Sequence, residues 1–161
     1  MGHTTAMNIP KTYTQIYIQL VFAVSKRENL IHKTWRDDLN KYISGIITNK
    51  DQKSIIVNGM PDHIHIFFGL KPSTAISDFV REIKKNSTNF INESGFLKHK
   101  FSWQEGYGAF SYSHSQIKNV YDYVLNQEVH HAKKTFKQEY YGFLKKFEIE
   151  IDERFMFEWL D

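Results

Sequence analysis

Eight residues, Pro61-Asp62-His63-Ile64-His65-Ile66-Phe67-Phe68, constrain this chain most. A Pro-Asp turn signal opens them, and two histidines then alternate with isoleucines, the period of a strand. Successive side chains of a strand point to opposite faces of its sheet. Ile64, Ile66 and Phe68 therefore share one face, and His63, His65 and Phe67 the other. Two strand rises place the imidazoles roughly 7 Å apart at the backbone, close enough for their ring nitrogens to converge on one ion. The same pair also suits a solvated polar face, or two hydrogen-bonded structural histidines.

The flanking segments supply the remaining elements. Tyr13 to Val24 alternates as a strand, with Ile16, Ile18, Leu20, Phe22 and Val24 on one side and Tyr13, Gln15, Tyr17 and Gln19 on the other. A basic loop, Ser25 to Asn29, follows. A helix is predicted from Thr34, with Thr34 as N-cap and Asp37 in the capping-box position. Its apolar stripe is Trp35, Leu39, Tyr42, Ile43, Ile46 and Ile47. Ser54 to Asn58 reads as a second strand, leading into the histidine strand. Pro72-Ser73-Thr74 starts another helix, apolar at Ile76, Phe79, Val80, Ile83, Phe90 and Ile91 and basic at Arg81, Lys84 and Lys85. Phe101 to Ser113 is an aromatic strand with a bend or bulge at Gly106 and Gly108. The order is that of an α+β, ferredoxin-like βαββαβ antiparallel sheet with helices on one face. The histidines are then expected on the opposite, open face, beside Gln15, Tyr17 and Gln19. An additional, C-terminal helix carries a tyrosine.

That helix is predicted from Ser115 to about His131. Ile117, Val120, Tyr121, Val124 and Leu125 gather on one arc, the expected buried face, which makes Tyr121 a core residue. Tyr123 and Gln127 lie off the arc and stack on one side, four residues apart. A displayed phenol is either ordinary amphipathic surface or a nucleophile activated by a base or a metal-polarised substrate. In the functional reading Gln127 offers a neutral carbonyl oxygen to an ion held by His63 and His65. Phosphate and water oxygens suit Mg2+, and two imidazoles shift the preference toward Mn2+ or another transition ion. Three histidines, or two histidines with a carboxylate, would point instead to hydrolytic zinc or non-haem iron, a pattern not read in this sequence.

Length and composition set the frame. The chain has 161 residues, 41% hydrophobic and 16% aromatic, which suits one folded domain with a real core. We expect a flexible lead over 1–11, the domain over 12–147, and an acidic, aromatic tail over 148–161 packed on the domain or at an interface. There is no cysteine, which excludes disulfides and thiolate metal sites and fits a reducing compartment. No apolar run reaches the roughly 18 residues of a membrane span, and the N-terminus lacks signal-peptide regions. A cytoplasmic protein, nucleoid-associated when bound to DNA, is the expectation. The net charge of +3 is compatible with a polyanionic partner. Lys26, Arg27, Lys84 and Lys85 are candidate contacts to a nucleic-acid backbone.

Three motifs in order carry a resemblance: Asp62-His63-Ile64-His65, then Trp103-Gln104-Glu105-Gly106-Tyr107-Gly108-Ala109-Phe110-Ser111, then Tyr123-Val124-Leu125-Asn126-Gln127 followed by His130-His131. From about Thr12 to about Tyr141 the chain resembles the single-tyrosine HUH transposases, the insertion-sequence-two-hundred-like group and the related REP-associated tyrosine transposases. The resemblance implies a ferredoxin-like HUH nuclease fold and a homodimer. It implies a divalent metal held by His63, His65 and Gln127, and Tyr123 as nucleophile. It further implies single-stranded DNA with hairpin ends as substrate, a 5′-phosphotyrosine intermediate and a free 3′-OH. In family dimers the tyrosine helix often serves the partner's histidines. The rival expectation is a non-catalytic single-stranded nucleic-acid-binding module, stacking bases on Tyr17, Phe67 and Tyr107, or a captured DNA-binding regulator.

Overall fold

The computed structural model describes residues 11–151. The expected lead, apart from Lys11, and the tail beyond Ile151 lie outside the described residues. Four strands form one sheet: β1 (Tyr17–Ala23), β2 (Lys53–Gly59), β3 (His63–Gly69) and β4 (Gly108–Tyr112). Two long helices connect them, α1 (Lys33–Asn49) between β1 and β2 and α2 (Ile76–Ser94) between β3 and β4. The strand order is β2-β3-β1-β4 with every neighbouring pair antiparallel. This is the expected ferredoxin-like βαββαβ arrangement. Three helices follow: α3 (Ile117–Leu125), α4 (Gln127–His131) and α5 (Phe136–Lys146).

Strand alternation decides what each face buries. Ile18, Leu20 and Phe22 of β1 stand opposite Phe68, Ile66 and Ile64 of β3, and all six are buried. Against them pack Leu39, Ile43 and Ile47 of α1 and Phe79, Val80 and Ile83 of α2, in one apolar cluster. Stacked rings tie the two helices together: Tyr42 lies 4.1 Å from Phe90 at 12°, and Trp35 lies 4.7 Å from Phe96 at 5°. α2 ends at Gly95, whose φ of +69° is the left-handed closure that glycine adopts without a Cβ penalty. α1 starts two residues earlier than expected, with His32 rather than Thr34 at the N-cap position and no side-chain cap bond. The aromatic segment 101–113 pairs as a ladder only over β4, while Trp103 makes a single bridge to Val24. Trp103 is instead fixed by its indole, which donates to Ser87 Oγ at 2.9 Å.

The second face of the sheet is not open. Gln19, Val21 and Ala23 of β1 stand opposite Phe67, His65 and His63, and all six are buried. Two layers seal them. Val120 and Val124 of α3 cover Phe67, and α5 covers the histidines. Phe136 stacks on the His63 ring at 4.2 Å, and Phe143 stacks on Phe110 at 4.8 Å. The open-face expectation fails because α5 had not been recognised as an element. Among the described residues, no helix is long and apolar enough to cross a membrane.

Candidate active site

Each histidine is oriented through its Nδ1. Asp62 sits at the turn into β3, and its Oδ1 lies 2.7 Å from His63 Nδ1. Arg27 holds the other Asp62 oxygen at 3.4 Å. His65 Nδ1 lies 2.8 Å from Gln19 Oε1 on the neighbouring strand, and Gln19 in turn donates to the Tyr112 hydroxyl at 3.2 Å. Because a carboxylate and an amide oxygen only accept, both Nδ1 atoms carry a proton. His63 Nε2, which has no hydrogen-bond partner, then carries the lone pair of a neutral ring, whereas His65 Nε2 is hydrogen-bonded to Glu139 Oε1 at 3.1 Å. Outer partners of this kind fix tautomer and ring orientation in metal-ligating histidines. Burial lowers the His63 pKa to about 4, against the opposing pull of the Asp62 hydrogen bond, so that ring is neutral near pH 7.

Both Nε2 atoms converge on a residue that sequence reasoning missed. Glu139 of α5 is buried, and its Oε1 lies 3.1 Å from His65 Nε2, 3.7 Å from His63 Nε2 and 3.3 Å from His131 Nε2. Burial alone would raise its pKa. The attraction of His65 and the bonds from His131 and His65 outweigh burial and hold the carboxyl well below the usual carboxylate range. The signal for α5 was in the sequence. Thr135 accepts from the Gln138 backbone N–H at 3.1 Å while Gln138 Oε1 accepts from the Thr135 N–H at 2.9 Å, a Thr-x-x-Gln capping box. Phe136, Tyr140, Phe143 and Leu144 then follow at helical spacing and are buried.

Tyr123 joins the same group: its hydroxyl donates to Glu139 Oε2. Two tyrosines exchange their expected roles here. Tyr121 is 38% exposed and Leu125 52% exposed, while Tyr123 is half-buried, with its ring stacked on His130 at 4.5 Å and edge-on to Phe143. The reason is that Val120 and Val124 alone seat α3 on Phe67, which turns the helix so that Tyr123 faces the histidines. Burial and then the neighbouring Glu139 charge raise the Tyr123 pKa well above the ordinary phenol value. The phenol is therefore protonated near pH 7.

The expected single helix over 115–131 is broken at Asn126, which ends α3 and begins α4. Asn58 of β2 caps the break by donating to the Val124 carbonyl at 2.8 Å, satisfying a terminal acceptor. The break carries Gln127 and His131 inward. Gln127 is buried; its Nε2 donates to the Tyr123 carbonyl at 3.2 Å, and its Oε1 lies 3.0 Å from His131 Nε2. Thus Tyr123 reaches the histidine pair of its own chain, beside the His65 ring and on Glu139, and Gln127 reaches His131.

This structure bears directly on the fit of a divalent ion. His63 Nε2 is buried without a hydrogen-bond partner, an orphaned lone pair that a cation would satisfy. The donor atoms of His63, His65, His131 and Glu139 all lie within 4.8 Å of one another. The expectation that three histidines or a carboxylate are absent from the site is corrected: both are present, because α4 and α5 fold back over β3. The residues fit the group.

The basic candidates separate into two kinds. Lys26 and Lys85 are exposed. Arg27 is held by Asp62 and lies over the Phe136 ring at 5.2 Å, positioning the histidine shell. Lys84 is half-buried, and its ammonium donates to the carbonyls of Gln104 and Gly106 at 2.8 and 2.7 Å. Burial lowers its pKa to about 8, against the attraction of Glu105. Its donors pin the loop before β4 rather than project toward a polyanion. Lys84→Met is accordingly expected to lower stability by about 1–2 kcal/mol through the unpaired carbonyls, read by urea unfolding. A backbone-contact role would instead leave stability unchanged and reduce the salt slope of DNA binding by about one unit.

A cleft of about 380 Å³ opens beside the Tyr123 phenol, lined also by Gln116, Asn119, Lys134, Glu139 and Lys146. Phe67, offered in the rival reading as a stacking platform, is fully buried and presents no ring face to a base.

Fold and site together define a ferredoxin-like domain that brings a His-x-His pair and a tyrosine to one carboxylate. Residues 12–127 match the family described as transposase, IS200 like. The chain belongs to the IS200-like transposase family, whose members cut and rejoin DNA. Two solved structures share the fold. One is a protein of Deinococcus radiodurans R1 classed as a transposase, 22% identical, with a TM-score of 0.61 over 74% of this chain and 96% of that one. The other is a REP-associated tyrosine transposase bound to a REP hairpin, 20% identical, with a TM-score of 0.54 over 77% of this chain and 73% of that one. No curated protein is similar enough to count as a match.

Proposed function

We propose that this chain is a single-strand DNA endonuclease and strand transferase that works through a 5′-phosphotyrosine at Tyr123, with a divalent ion, Mg2+ or Mn2+, in the histidine site. One observation carries the reading: the Tyr123 hydroxyl and the His63 and His65 Nε2 atoms meet at the same buried carboxylate, Glu139. His63 and His65 would hold the ion, with Gln127 beside them, and a bound divalent ion would polarise a phosphodiester oxygen.

The chain's own groups supply the rest. Tyr123 Oη forms the new O–P bond as the P–O3′ bond breaks, and the released 3′ oxygen leaves as a hydroxyl. Glu139, which already accepts the phenol's hydrogen bond, is placed to take its proton. Attack by the 3′-OH of another end on the phosphotyrosine reverses the same exchange, so no ester energy is lost and neither ATP nor hydrolysis is required. The cleft beside the phenol offers Lys134 and Lys146 to phosphates and Gln116 and Asn119 to sugar or base edges. The relative bound to a REP hairpin supports single-stranded DNA with hairpin ends as the substrate. A homodimer belongs to this reading, supported by the exposed row Tyr121, Leu125 and Val129, as does action in the cytoplasm, at the nucleoid.

The test is a labelled single strand carrying terminal hairpins, incubated with the protein and Mn2+ or Mg2+ and run on a denaturing protein gel. An SDS-resistant adduct that disappears with chelator is the expected result. Tight binding with no adduct under either metal would return the chain to the binding-module reading.

A further inference from the structure

Deepening the proposed function, on which it rests, we infer that His131 and Glu139 are metal ligands alongside His63 and His65, so that the centre is a three-histidine, one-carboxylate site selective for a transition ion. Four donors around an ion at 2.0–2.1 Å stand about 3.3 Å apart in a tetrahedral arrangement. Glu139 Oε1 lies 3.1, 3.3 and 3.7 Å from the Nε2 atoms of His65, His131 and His63. Those are three of the six edges of such a polyhedron, and the remaining donor pairs lie within 4.8 Å of one another.

Three further observations agree. His63 Nε2 is buried and unpartnered, aimed into the space these donors enclose. His63 and His65 each give their Nδ1 to an outer partner, Asp62 and Gln19, which leaves Nε2 as the inward atom of both rings. Glu139 divides its two oxygens: Oε1 faces the three imidazoles, and Oε2 accepts from the Tyr123 hydroxyl. One carboxylate therefore links the ion site to the nucleophile, and α5 is what places it.

The chemistry of the set departs from magnesium. Mg2+ prefers an octahedral shell of oxygens and keeps several waters. Imidazole donors favour zinc, manganese, iron or cobalt. His131 Nε2 donates to Gln127 Oε1 at 3.0 Å, a bond the ring gives up when it ligates, while Gln127 Nε2 stays on the Tyr123 carbonyl and supports the centre from that side.

Cobalt(II) is the probe, added to chelator-treated full-length protein with no DNA present. One ion per chain is expected, with the intense visible absorption of a four- or five-coordinate centre rather than the weak bands of a hexa-aqua-like one. His131→Ala and Glu139→Gln are each expected to weaken Co2+ binding by about 100-fold or more by calorimetry, and Gln127→Ala, as a supporting residue, by about tenfold at most. The native chain provides a measurement free of folding effects: X-ray absorption on its Co2+ form should count three imidazoles. Two imidazoles, an octahedral oxygen-rich shell, no bound Co2+, or a tenfold loss in Gln127→Ala with His131→Ala and Glu139→Gln unaffected would each overturn the inference. These readings need no DNA cleavage. The strand-transfer reading fails separately, on the absence of an adduct.

Discussion

Tyr123→Phe is expected to abolish the covalent protein–DNA adduct while single-stranded DNA binding persists. The change removes one oxygen and leaves the ring, so the stack on His130 at 4.5 Å and the edge contact with Phe143 survive. What disappears is the nucleophile of the proposed exchange, and no neighbouring group replaces a missing covalent bond. The substitution has one structural cost: Glu139 Oε2 loses its phenol donor. An unsatisfied buried acceptor costs on the order of 1–3 kcal/mol, so thermal unfolding is measured beside the adduct. A folded, DNA-binding, adduct-free variant is the predicted outcome. An adduct that persists would move the nucleophile, and the next phenol on the cleft is Tyr112. Its hydroxyl accepts from Gln19, whereas the Tyr123 hydroxyl already donates to the Glu139 carboxylate, so the phenol with the carboxylate beside it is the better placed of the two.

How far the sequence discloses this molecule depends on the range of the interaction. The alternation of His63, Ile64, His65 and Ile66 is a local, period-two signal, and it correctly separates the face that meets α1 and α2 from the histidine face. The order of the six ferredoxin-like elements follows from equally local patterns. The exchange between Tyr121 and Tyr123 does not. Apolar residues occur around most of α3, and the rotation of that helix is chosen by the contact of Val120 and Val124 with Phe67, more than fifty residues earlier in the chain. Glu139 lay deeper still. Its helix announces itself through Thr135, Gln138 and the spacing of Phe136, Tyr140, Phe143 and Leu144. The position of its carboxylate between three imidazoles comes only from folding α5 back over β3. Lys84 is the opposite case: a cation on a helix face reads as solvated, yet here two loop carbonyls fall within its reach.

Phe143→Ala is the substitution expected to separate the site from the fold. Phe143 is buried, stacked on Phe110 at 4.8 Å and in contact with the His65 and Tyr123 rings. Removing a buried phenylalanine costs about 3–5 kcal/mol, and the lower value applies here because the ring keeps 8% exposure. Phe143 belongs to the same apolar cluster as Phe22, Ile64, Ile66 and Phe68, but its ring contacts are Phe110, His65 and Tyr123, so the loss falls first on the contact between α5 and the sheet. Local opening is therefore expected before global unfolding. Amide exchange should accelerate over 136–146 while the amides of β1 and β3 stay protected, and the melting temperature should fall by on the order of 10 °C. Because α5 carries Glu139, divalent-ion binding and adduct formation should decline together with α5 protection. Equal acceleration in β1 and β3 would mean that α5 and the sheet unfold as one unit, and that the closure of the histidine face is inseparable from the stability of the domain.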